Sequence, residues 1–224
     1  MLYIALIGDI IHSKKIEDRT KAQQSLLDLL EKLNQTYKFC LVSPFTITTG
    51  DEFQALFTPN KYIFEIIEQF TVHFSYPIRF GIGLGEIVTK INRKQSIGSD
   101  GPAYWRAREA IDFIHDKNDY GVSKIAVSLK NKEASREVNT ILSACSFIES
   151  KWTNSQREIL VHLLKYGIYD ENFYQKDIGD GLGLDSSAIS RRIKSAGTKI
   201  YLRNKRLAMD IILKEAEEKE KNND

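Results

Sequence analysis

Long apolar runs and cysteine are both scarce in this chain. No stretch reaches the ~20 consecutive apolar residues that a membrane-crossing helix requires, so no membrane partner is expected. The first residues, Met1 to Ile11, are apolar. They lack a basic start and a small-residue cleavage site, which is not the pattern of a secretory leader. The two cysteines, Cys40 and Cys145, each stand alone in an apolar stretch. That argues against a disulfide framework and against a cysteine-type zinc site, and favours a reducing, cytoplasmic setting. An excess of one charge is missing too: 32 Lys and Arg face 30 Asp and Glu, for a net charge of +2. The average therefore points to no class of partner, and only the distribution of charge can. The four histidines are scattered, and no Ser-His-Asp or Cys-His arrangement is apparent. No repeat or low-complexity segment occurs, and only Glu215 to Asp224 forms a charge run.

Apolar residues are plentiful: 42% of the 224 residues are hydrophobic, with 11 Phe and 10 Tyr among them. That suffices for a core, and the length allows two domains. Leu2 to Gly8 reads as a buried strand ending at Gly8-Asp9. Ala22, Leu26, Leu29, Leu30 and Leu33 recur at helical spacing and predict a helix over 19–36. Phe39 to Thr49 and Glu52 to Phe57 read as two strands joined by a hairpin at Gly50-Asp51. A helix follows over 61–73, then a strand carrying Gly81, Gly83 and Gly85. Glycines so spaced mark a close backbone approach or a bulge, or simply a strand crossed closely by a helix. Helices over 102–116 and 132–149 flank a short strand at 124–129. The order β-α-β-β-α-β, extended by α-β-α, predicts an α+β domain over residues 1–150. Its expected core is a ferredoxin-like antiparallel sheet with helices on one face.

Residues 151–224 change style to helix and turn, and read as an all-α helix-turn-helix domain. Thr153 can cap a helix bearing Ile159, Leu160, Leu163 and Leu164. Gln175 to Leu182 is a short helix, Gly183-Leu184-Asp185 a turn, and Ser186 onward a third helix. The turn needs a residue at ease in the left-handed region, which Gly183 supplies. Ile189 and Ile193, one turn apart, would face inward. Ser186, Ser187, Ser190, Arg191, Arg192 and Lys194 would then meet double-stranded DNA, with Gln175 and Lys176 beside them. From Arg191 to Arg206 there are seven basic residues and no acidic ones, a candidate phosphate-contacting stripe. Leu202, Leu207, Met209, Ile211, Ile212 and Leu213 lie in a last helix, which could pair with its twin in a homodimer or pack back on its own chain.

In the predicted sheet Asp9, at the end of the first strand, comes near Asp51, in the hairpin. Two adjacent carboxylates repel unless a cation lies between them, and Mg²⁺ completed by phosphate oxygens is a common solution. Asp51 can equally be no more than a hairpin residue, and Asp9 a cap. Tyr104 and Trp105 read as core rather than as a platform for a purine.

Gly8-Asp9-Ile10-Ile11, Gly50-Asp51-Glu52-Phe53 and the strand Gly81 to Glu86 resemble the nucleotidyl cyclase fold, over about residues 1 to 130. The resemblance implies that Asp9 and Asp51 hold Mg²⁺. It also implies that the backbone at Ile10 and Ile11, with Gly50 and Glu52, lies beside nucleotide phosphates, and that Arg106 and Arg108 serve phosphate by a changed register. The chain departs from the cyclase pattern where Trp105 stands in place of Asn, Glu109 in place of Arg, and Thr49 in place of the first hairpin Gly. Over its full length it resembles the bacterial SatD family, whose members join Gly-Asp-Ile and Gly-Asp-Glu-Phe motifs to a C-terminal helix-turn-helix. The expectation is a DNA-binding transcription regulator with a nucleotide- and Mg²⁺-sensing N-terminal domain. The alternative is a divergent metal-dependent cyclase or phosphohydrolase.

Overall fold

The computed structural model describes residues 1–116, 121–175, 178 and 181–221. It is a mixed α+β fold with one open sheet of five strands. These are β1 (Tyr3–Ile10), β2 (Leu41–Thr49), β3 (Glu52–Phe57), β4 (Ile78–Gly85) and β5 (Ile125–Ser128), in the order β2-β3-β1-β4-β5. Between the strands run α1 (Arg19–Thr36), α2 (Ile63–His73) and α3 (Pro102–Asp116). After them come α4 (Lys132–Ser150), α5 (Asn154–Lys165), α6 (Ser186–Ala196) and α7 (Thr198–Lys221).

The four strands β2, β3, β1 and β4 pair antiparallel, as expected, but β5 runs parallel to β4. The sheet is thus mixed, which corrects the all-antiparallel expectation. The cause is connectivity: α3 carries the chain back across the sheet before β5, and such a crossover returns a strand in the same direction. Helices also cover both faces, not one. Ile4, Leu6 and Ile10 of β1 face a core shared with α1, α2, α4 and α7, whereas Ala5 and Ile7 face Ala103, Ala107 and Ile111 of α3. The period of two along β1 makes the division.

The glycines of β4 explain how close α3 comes. A Cβ at Gly83 would overlap the Ala103 oxygen and the Ala107 nitrogen, and one at Gly81 the Ala107 oxygen. α3 rests on bare backbone, so these glycines mark a helix crossing. On the opposite face Phe45, Phe53, Phe70 and Phe80 form a ring cluster with centroids 4.9 to 6.2 Å apart.

A second core holds Cys145, Ile159, Leu160, Leu163, Phe173, Ile178, Ile189, Ile193, Tyr201 and Leu202. The two cores share helices. α7 begins in the second core, and its later residues Ala208, Met209, Ile212 and Ala216 are buried in the first. Of the apolar residues singled out in this helix, Leu202, Met209 and Ile212 are buried within the chain, Ile211 and Leu213 are partly buried, and Leu207 stays half-exposed. Among the described residues no helix is long and apolar enough to cross a membrane.

Candidate functional site

Two places gather the residues singled out in the sequence: one end of the sheet, and the outer face of α6.

At the sheet end, the register sets Asp9 opposite Glu52 on one side and Arg79 on the other. All three lie on the face covered by α3, which brings Arg108 and His115 over them. Arg79 Nη1 donates to Asp9 Oδ2 and to His115 Nε2, each at 2.8 Å, and His115 Nε2 lies 3.9 Å from the same carboxylate. Arg108 grips Glu52 through both terminal nitrogens at 2.6 and 2.7 Å, with Thr48 Oγ1 at 3.0 Å. Ser13, in a short 3-10 turn after β1, donates to Asp51 Oδ2. His12 just before it is the only non-glycine residue in the left-handed region among those described (φ 57°). Burial raises the Asp9 carboxyl above its usual value, Arg79 opposes this, and the nearby Asp51 charge adds to the rise.

Asp9, Asp51, Glu52 and Arg108 thus come together, and Gly50 sits at the open hairpin tip. Arg106 does not join them. Its Nη1 donates to the Leu84 carbonyl at 2.5 Å. Leu84 pairs with Ile4, five residues, or about 17 Å, from Asp9 along β1. The amides of Ile10 and Ile11 donate to the carbonyls of Asp51 (3.0 Å) and Pro77 (2.8 Å), so both are engaged within the fold. Tyr104 is core, but Trp105 is 56% exposed, with Nε1 donating to Asp100. The sequence reading missed Arg79, His115 and Ser13. Arg79 was findable, because it continues the period of two set by Gly81, Gly83 and Gly85 on the face that Asp9 occupies.

Asp9 and Asp51 are close enough for the charge of one to act on the other, and they are the residues that could hold a Mg²⁺ completed by phosphate and water oxygens. Among the described residues no group of three His, Cys, Asp or Glu side chains forms a ready metal cage.

The outer face of α6 is built by local rules. Asp185 caps the helix, accepting from Ala188 N at 2.7 Å, and Gly183 (φ 62°) and Gly197 (φ 63°) supply left-handed turns before and after it. Ile189 and Ile193 are buried, and Ser186, Ser187, Arg191 and Lys194 are exposed. Arg191 Nη1 donates to Ser187 Oγ at 3.1 Å, and Gln175 Nε2 to Ser190 Oγ at 3.4 Å. Lys176 lies outside the described residues.

The basic stripe is smaller than its sequence count. Lys205 is buried against Glu68 at 3.3 Å, and Arg206 pairs with Asp170 and Glu171. Arg192 pairs with Glu158 at 3.3 Å, and Lys199 lies over the Phe173 ring. Arg191, Lys194 and Arg203 remain exposed.

The chain is a mixed α+β fold with a five-stranded open sheet, charged side chains at one sheet end and exposed basic residues on α6. The family model described as the SatD family matches residues 3–212, and the chain belongs to that family. No curated protein matches the chain.

Proposed function

We propose that the protein is a regulator that binds double-stranded DNA through α6, with the sheet end sensing a nucleotide carried with Mg²⁺. The observation that carries the first half is the orientation of α6. Its two isoleucines fill the helical core, its capped N-terminal turn presents hydroxyls outward, and Arg191 follows on the same side one turn later, bonded to Ser187. Short hydroxyls and an arginine at the start of an outward helix suit base edges and phosphates. We read the turn at Gly183 and α6 as the second half of a helix-turn-helix, whose expected first helix, Gln175 to Leu182, lies in part outside the described residues, and strands β1 to β4 with α1 and α2 as the ferredoxin-like part of a cyclase-like domain.

The second half rests on charge. Asp9, Asp51 and Glu52 face Arg79 and Arg108, which leaves one negative charge over. A bare phosphate would be repelled there, and a phosphate bearing Mg²⁺ would not. Sensing is preferred to turnover because Asp9, Asp51 and Glu52 each accept from a protein donor, so no carboxylate of the three stands ready as a base toward a substrate.

Two experiments test the reading. Mobility shifts on duplex DNA should weaken at least tenfold in the Arg191→Ala, Lys194→Ala double variant. Unchanged shifts would remove the DNA assignment. A nucleotide panel with Mg²⁺ should raise the melting temperature of the parent chain but not of Asp51→Asn. Equal rises in both would remove the sensing assignment.

A further inference from the structure

The two cores meet at a buried carboxylate. Glu68 of α2 is 1% exposed, and Lys205 of α7 is 2% exposed. Three donors converge on one of its oxygens: Glu68 Oε1 accepts from Lys205 Nζ at 3.3 Å, Tyr169 Oη at 3.2 Å, and Tyr201 Oη. The other oxygen, Oε2, is equally buried and has no partner among the described residues. Folded proteins rarely leave such an atom unmatched, because it has given up its hydration for nothing.

Beside this carboxylate is a cavity of about 390 Å³, lined by Glu68, Phe70, Phe74, Tyr76, Glu149 and Arg157 among others. That is the size range of small-molecule sites. It belongs to the face of β4 that carries Ile78 and Phe80, opposite the face of Arg79 and Asp9, so it is separate from the sheet-end cluster. Its charges other than Lys124 are already paired: Arg157 holds Glu149 at 2.7 Å, and Lys205 holds Glu68. Lys124 lines it from an exposed position. An anionic head entering here would meet two carboxylates with no free buried cation. A donor head approaching Glu68 would reach the unmatched Oε2 by a small shift of that side chain, since the oxygen has no open surface of its own, and aromatic walls would cover an apolar body.

We infer that this cavity binds a small molecule with an apolar body about the size of one aromatic ring and a hydrogen-bond-donating amine, amide or hydroxyl head directed to Glu68. Carboxylates and phosphates are excluded. The inference is independent of the DNA and nucleotide readings. An occupant touches α2, α4 and α5 at once, so it bears on the junction between the two cores.

Calorimetric titration of the full chain with 2-phenylethylamine, 2-phenylethanol and phenylacetate tests this. Both donor probes should bind and raise the melting temperature, and phenylacetate should do neither. Ser146→Leu, which places a side chain into the cavity from α4, should abolish binding and leave the fold intact by circular dichroism. Glu68→Gln should weaken the amine at least tenfold, and if that variant does not fold, Ser146→Leu carries the test. Absence of binding by both donor probes, equal binding of phenylacetate, or full binding by Ser146→Leu would overturn the inference.

Discussion

At Gly83 even a methyl group has no place, because the Ala103 oxygen and the Ala107 nitrogen already occupy it. Backbone cannot step aside as a flexible side chain can, so Gly83→Ala should cost about 2–3 kcal/mol, measured by denaturant unfolding. A loss under half that would mean α3 rides higher on the sheet than described. The two cysteines are governed by burial, which pushes both thiols up to about 11. At pH 8 roughly one in a thousand would be thiolate. A disulfide reagent should therefore titrate neither Cys40 nor Cys145 in the native chain, and both after unfolding. Rapid native reaction of either would contradict the packing around it. Asp9 carries a sign that can be tested. Its raised carboxyl means that folding disfavours the charged form, so its contribution to stability is greatest at low pH and falls as pH rises through the folded value. Asp9→Asn should melt no lower than the parent at pH 7, and any gain should vanish below about pH 4. A clearly lower melting temperature at pH 7 would show that the Arg79 pair outweighs burial.

The elements were largely legible before any coordinates. Periodicity places α1 at 19–36 and α3 at 102–116, and the β2-β3 hairpin turns at Gly50-Asp51, all as found. These are cases where local rules and tertiary packing agree. The parallel pairing of β5 was not legible, since four residues of strand carry no direction and only the path of α3 sets it. Within α6 the cap is electrostatic. Backbone and Ser187 hydrogen bonds hold Asp185 below the usual carboxylate range, so its contribution is present above the ordinary aspartate value and lost as pH falls through the lowered one. Among the basic residues, those of the sequence stripe that stay exposed differ from those already paired. Arg191→Ala should weaken DNA binding more than Arg192→Ala, because Arg192 is held by Glu158. A mobility-shift comparison showing the reverse order would mean that Arg192 leaves its partner to reach DNA.

Across the whole molecule the connection between the two cores decides what either site can do to the other. α7 starts beside α6 and ends against α4 and the sheet core, and Glu68 reaches across to Tyr169, Tyr201 and Lys205. None of this could be read from the sequence. Lys205 sits in a run of basic residues that looks like a solvated stripe, and Glu68 in α2 looks like one polar position on an amphipathic helix. Only their meeting, 137 positions apart, reveals that both are buried. Asp9 and Asp51 fared better, since strand ends and hairpins have few possible neighbours in a small sheet. The proposed contact of α6 with DNA is tested most directly by salt dependence. Fluorescence anisotropy with a labelled duplex should show affinity falling steeply between about 50 and 200 mM salt. The log–log slope should become shallower by about 0.9 for each phosphate contact removed in the Arg191→Ala, Lys194→Ala variant. The same slope and affinity in parent and variant would contradict the account.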